Sequence, residues 1–162
     1  MAQHRQYDQS RSPAFRRRKR GAAQQGIGRS RGGLSTKVHL IVDALGLPLT
    51  FEITEGQRHD NQRGQDLVAR AKSSCLLGDK AYDSNALRAA LAAHGCAAVI
   101  PSSGSCAQKL PYDKEHYKAR SEIECTFSLL KQARRFATRY EKTLRNYAAV
   151  VAIGCALLWL RI

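Results

Sequence analysis

Short apolar runs, the first two joined by a turn and the later ones divided by helical stretches, constrain this 162-residue chain more than any other feature. Between Thr36 and Asp43 the apolar residues Val38, Leu40 and Val42 alternate with Lys37, His39 and Asp43, the period of a half-buried strand. Asp43-Ala44-Leu45-Gly46 supplies turn chemistry, and Leu47–Thr54 reads as a second strand closed by Glu55-Gly56. The short gap between them predicts an antiparallel hairpin. Asn61–Ala71 reads as a helix with Asp60 as its N-cap. Cys75-Leu76-Leu77-Gly78 is a short apolar strand that runs straight into Asp79. Asp83-Ser84 starts a helix over Asn85–Ala93, rich in Ala and Leu, and His94-Gly95 ends it. Ala97–Ile100 is another short buried strand, and Pro101–Pro111 is a Ser- and Gly-rich loop. One long helix is expected over Lys114–Arg135, with Ile123, Phe127 and Leu130 as its apolar contacts, and a last one over Leu144–Leu160. Strands flanked by helices in this order predict an α/β layer architecture.

Lys and Arg total 27 against 13 Asp and Glu, a formal charge of +14 that a compact fold carries at the expense of self-repulsion. That balance points to a polyanionic partner, nucleic acid before an anionic membrane surface. The charge is clustered, which argues against a merely solvated surface. Arg16, Arg17, Arg18, Lys19 and Arg20 form one run, and Arg29 and Arg31 follow in the Gly- and Ser-rich stretch Gly26–Gly33. Residues 1–35 are therefore expected to be a basic, flexible arm. The five cysteines, Cys75, Cys96, Cys106, Cys125 and Cys155, match no zinc spacing and suit a reducing compartment as small buried hydrophobes. Ala148–Leu160 is apolar but too short to span a bilayer, so it is expected to be a buried helix and no membrane partner is expected.

Two acids stand out. Asp79 is at the carboxyl end of a predicted buried strand, where open α/β sheets place ligand-binding residues. Glu124 shares a predicted helix stripe with Tyr117, Arg120 and Lys131, at spacings that return to nearly the same face. Two carboxylates from different elements can hold Mg²⁺ or Mn²⁺ against phosphate oxygens. The plainer alternatives are that Asp79 caps a turn and that Glu124 makes a surface ion pair with Arg120.

The pattern of Tyr117, Arg120, Glu124 and Lys131 resembles the third-acid signature of bacterial insertion-sequence transposases of the DDE class. Other segments match that family in the same order: Gly28–His39, Asp43–Pro48, Gly56–Asp60, Asp79–Asp83 and Ala137–Lys142. The resemblance covers roughly residues 26–160. It implies a ribonuclease-H-like fold, a Mg²⁺ or Mn²⁺ cofactor in the complete site, and DNA strand cleavage followed by strand transfer. Asp79 and Glu124 are then the second and third acids, catalytic and metal-binding. Tyr117, Arg120, Lys131, Arg134, Arg135, Arg139 and Lys142 are the expected contacts to double-stranded DNA at element ends or target. Arg120 has a second expected role, orienting Glu124.

The first acid of that design belongs on a first, central strand. Upstream of Gly26 the chain offers only Asp8, with no apolar run before it, so the expectation is a fold lacking the first strand and a partial catalytic domain over 36–162. The missing part is expected from an upstream reading frame, or the gene is a decayed remnant; either way the isolated chain is expected to be inactive and marginally stable. A homodimer is a further candidate assembly, and the expected location is the bacterial cytoplasm, with the nucleoid. The alternative function is a non-catalytic DNA-binding remnant or regulator of intact transposase. A general basic nucleic-acid-binding protein explains the charge but leaves Asp79 and Glu124 unexplained.

Overall fold

The computed structural model describes residues 2–8, 25–30, 33–58, 73–104 and 109–160. The expected helix over Asn61–Ala71, the basic run Arg16–Arg20 and Cys106 lie outside them. Six strands, β1 (Ala2–Asp8), β2 (Gly28–Ser30), β3 (Gly33–Val42), β4 (Pro48–Glu55), β5 (Cys75–Gly78) and β6 (Ala97–Val99), build one mixed sheet. The long path across it runs β4-β3-β1-β5-β6, and β2 pairs with the start of β3. β1 is antiparallel to β3 and parallel to β5, and β6 is parallel to β5.

The hairpin forms where the alternation predicted it, with Val38 opposite Ile53 and Leu40 opposite Phe51. The Asp43 carboxylate accepts hydrogen bonds from Leu45 N (2.9 Å) and Leu47 N (2.8 Å), a side-chain-built turn that gives this acid a structural job. Gly46 closes the turn at φ 80°, and its carbonyl accepts the Thr126 hydroxyl at 2.6 Å, which fastens the hairpin to a distant helix.

Helices α1 (Asn85–Ala93), α2 (Lys114–Lys118), α3 (Ser121–Gln132), α4 (Arg134–Ala137) and α5 (Leu144–Trp159) complete the described elements. The period-two pattern of β3 splits the core between two faces. Ile41 packs with Leu76, Tyr82, Leu87, Leu91 and Ile100 on the α1 side. Val38, Leu40 and Val42 pack with Ile123, Phe127 and Leu130 of α3, Phe136 of α4 and Tyr147 and Val151 of α5 on the other. Helices thus cover both faces of a mixed sheet, an α/β layer fold.

Three expectations are corrected. The first strand is present: β1 lies at the centre of the sheet, between β3 and β5, although its sequence is almost wholly polar. Strand preference here is set by pairing on both edges rather than by an apolar pattern, so the sequence carried no signal for it. The helix over 114–135 is broken twice, at Ala119–Arg120 and at Ala133. The second break has a packing cause. Nine residues at about 100° each would aim Phe136 opposite Phe127 on a continuous helix, whereas Ala133 at φ −74°, ψ 108° turns Phe136 into the core, its ring 6.4 Å from Phe127. Finally, α5 is buried on one face only: Ile153, Leu157 and Trp159 are exposed. Among the described residues no helix is long and apolar enough to cross a membrane.

Candidate active site

Asp79 leaves β5 at the carboxyl edge of the parallel half of the sheet and heads a single tight turn over Lys80–Tyr82. Its backbone carbonyl accepts Tyr82 N at 2.9 Å, but its side chain makes no capping hydrogen bond. The turn-capping alternative therefore leaves the carboxylate unexplained. Gly78 precedes it because a Cβ there would meet Ile100 Cγ1 at 3.2 Å, in the tight packing of β5 against the end of β6. Tyr82, 2% exposed, anchors the turn in the core.

The stripe of Tyr117, Arg120 and Glu124 comes from α2, the joint and α3. Asp113 caps α2, accepting from Glu115 N and His116 N, while its other oxygen meets His116 Nδ1 at 2.6 Å. These contacts hold the Asp113 carboxyl below the usual carboxylate range, the His116 amide first among them. At the joint, Arg120 N bonds Tyr117 O (3.0 Å) and Glu122 N bonds Ala119 O (3.1 Å), the tighter i to i+3 pattern. Residues three apart eclipse in such a turn, and the Arg120 guanidinium carbon sits 5.6 Å from the centre of the Tyr117 ring. Arg120 Nη2 also meets Glu124 Oε1 at 2.9 Å, so the i,i+4 ion pair exists and fixes one carboxylate oxygen.

The Tyr117 phenol registers charge from both elements. Burial raises the Tyr117 phenol above its ordinary pKa, Arg120 opposes the rise, and the charges of both Asp79 and Glu124 add to it. The phenol thus lies within electrostatic reach of a carboxylate from the sheet edge and one from α3. Tyr112, which the sequence reading passed over, packs edge-on against Tyr117 with ring centres 5.4 Å apart. Five residues is no helical repeat and Tyr112 precedes α2, so periodicity could not have found the pair.

Among the described residues no group of three or more His, Cys, Asp and Glu could hold a metal ion, which excludes an all-protein cage there. Two carboxylates do suit the chemistry of Mg²⁺ or Mn²⁺, hard ions commonly held by one or two carboxylates together with phosphate oxygens and water.

The basic residues separate into two kinds. Lys131, in the last turn of α3, and Arg134, Arg135 and Lys142 are exposed. Arg134 lies 6.0 Å from the Tyr140 ring centre, and Arg135 pairs loosely with Glu141 at 3.4 Å. Arg139 is fully buried. Its Nε donates to Glu141 O (3.1 Å), its Nη1 to Thr36 Oγ1 (2.6 Å) and its Nη2 to Gln25 O (2.9 Å), while its guanidinium carbon sits 4.8 Å from the Tyr147 ring centre. Burial lowers its pKa. The guanidinium is used up inside the protein, so the expected DNA contact at Arg139 is replaced by a clamp joining the approach to α5 to the start of β3. Spacing along the chain registers a charge but not the fold-back that buries it.

Comparison with known proteins identifies the family. A model of the transposase DDE domain matches residues 3–159. A protein named as a transposase for the insertion sequence element IS6501 of Brucella ovis is 38% identical over 130 residues, which span 79% of this chain and the whole of that relative. With the family match running from β1 through α5, the chain belongs to the DDE transposases of bacterial insertion sequences.

Proposed function

We propose that this chain is a ribonuclease-H-like transposase core that binds element-end DNA, with Asp79 and Glu124 as two of the three acids of its strand-transfer site. The sheet order supports that architecture: β1 central, an antiparallel β3–β4 hairpin on one side, parallel β5 and β6 on the other. The observation that carries the site is the Arg120–Glu124 ion pair at 2.9 Å beside the Tyr117 ring, on helices that lead into the sheet-packed α3, together with Asp79 at the carboxyl end of β5. When bound, Mg²⁺ or Mn²⁺ would activate a water or 3′-hydroxyl and stabilise the leaving oxygen. The chain's own residues prepare for it. Arg120 orients Glu124, and Tyr117, kept protonated at neutral pH, can donate a hydrogen bond to a phosphate oxygen. Lys131, Arg134, Arg135 and Lys142 supply charge along a DNA backbone without reading bases.

The first acid is the weak point. β1 pairs with β5 in parallel, His4 beside Gly78. The residues of β1 around that register, Gln3, His4 and Arg5, include no acid. Asp8, at the end of β1, lies three positions beyond and pairs with Lys37 of β3. This favours an inactive strand-transfer site that still engages DNA, the non-catalytic reading of the same fold. The purified chain should therefore bind DNA carrying the element's terminal repeats, with affinity falling steeply as salt rises. It should release no cleaved or joined product with Mg²⁺ or Mn²⁺. Glu124→Gln should leave DNA binding intact or stronger. Strand transfer by the unmodified chain would overturn the inactive assignment, and loss of binding in Glu124→Gln would make Glu124 structural.

A further inference from the structure

We propose that Asp83 and Arg88 are positioning residues that set the spacing between the turn bearing Asp79 and the helices bearing Tyr117 and Glu124. The idea rests on the reading of Asp79 and Glu124 as a shared ion-binding pair. Asp83 follows the Asp79 turn directly, and its side chain is 8% exposed. One carboxylate oxygen accepts Arg88 Nε at 2.9 Å, and the other accepts the Ser103 backbone N at 2.7 Å. Arg88 Nη2 donates to Ile100 O at 2.7 Å. Both ends of the ion pair therefore hold the segment that leaves β6. That segment is gathered again where Ser102 Oγ accepts Leu110 N at 2.9 Å. Just beyond, Tyr112 packs on Tyr117 and Asp113 caps α2. A series of polar contacts thus runs from the Asp79 turn to the helix stripe.

Charge-assisted hydrogen bonds shielded from water are stiffer and stronger than surface pairs. The series is short, and its first members are Asp83 and Arg88. Loosening either frees the post-β6 segment, and with it α2, while the apolar packing of α1 and α3 keeps the fold. Neither residue needs to touch ion or DNA to act.

The test uses the full chain. Mn²⁺ is titrated by the electron-spin-resonance signal of the free ion, and amide exchange is followed over residues 112–118. Asp83→Ala should weaken Mn²⁺ binding about tenfold, the scale of outer-shell partners, and should speed exchange over 112–118 while cooperative unfolding is retained. Asp83→Asn keeps an acceptor for the Ser103 amide and should recover part of both effects. Arg88→Ala should reproduce the loss, and it carries the test if Asp83→Ala fails to fold. Unchanged exchange and unchanged Mn²⁺ binding in folded Asp83→Ala and Arg88→Ala would overturn the proposal. Asp79→Asn and Glu124→Gln are controls for the underlying reading. If they leave Mn²⁺ binding unchanged, the paired-carboxylate reading fails, and exchange over 112–118 alone then decides whether the contacts position α2.

Discussion

Arg120 and Arg139 belong to the same basic stretch, yet the fold uses them in opposite ways. Arg120 lies in a partly open region, shared between the Tyr117 ring and the Glu124 carboxylate. Arg139 lies in a closed one, where it spends its donors on Thr36 Oγ1 and two backbone carbonyls. The open site can exchange partners with an incoming phosphate. The closed one cannot, since withdrawing Arg139 would strand buried acceptors at a cost of about 1–3 kcal/mol each. A basic residue near an active site is thus functional or structural according to what its donors already hold, and the count of charges does not distinguish the two.

The largest effect should come from breaking the closed site. Arg139→Ala removes donors from Thr36, Gln25 and Glu141 and opens a void over Tyr147, so urea unfolding should show a loss of about 3–5 kcal/mol. In the open site, Glu124→Gln should cost on the order of 100-fold in Mn²⁺ affinity, about 2.7 kcal/mol, while the unfolding midpoint stays nearly unchanged. A similar loss of stability in both variants would erase the contrast.

Cys155 tests the closed side by pH. Burial pushes its thiol up from 9.0 to about 11. The folded state therefore holds the proton more tightly than the unfolded chain. Stability from this group is complete below pH 9.0 and lost as pH rises toward about 11. The expected loss is on the order of 2 kcal/mol, readable as a falling unfolding midpoint that Cys155→Ala should flatten. At pH 8 exposed Cys125 should react with a thiol reagent in the native protein long before Cys155 does.

Thr143 caps α5, its hydroxyl accepting Asn146 N at 3.3 Å, next to the Arg139 clamp. Thr143→Ala should cost about 1 kcal/mol. The smallest effect belongs to Arg120→Ala, whose half-exposed ion pair should be worth about 0.5 kcal/mol or less. A loss as large as that of Arg139→Ala would place Arg120 in the structural class.

Legibility in the sequence followed the same division. The β3–β4 hairpin, β5, α1 with Ser84 as its cap, and the burial of Ile123, Phe127 and Leu130 all come from local pattern, and all appear in the fold. Phe136 carries a local signal too: it is out of phase with Phe127 on one helix, and the break at Ala133 answers it. β1 had no such signal, because Gln3, His4, Arg5 and Gln6 become a central strand only through partners far along the chain. The pairing of Asp83 with Ser103 and the packing of Tyr112 on Tyr117 were equally silent, since neither follows a helical or strand repeat.

By itself the sequence determined the α/β class, most element positions, and the motif order that marks a transposase, because periodicity, turn chemistry and ordered motifs are properties of neighbours along the chain. Only the tertiary structure decided that a polar first segment completes the sheet, that Arg120 is shared between Tyr117 and Glu124, and that Arg139 is withdrawn from the surface. Those outcomes depend on desolvation and on pairing between residues distant in sequence, energies that do not exist until the chain has folded back on itself.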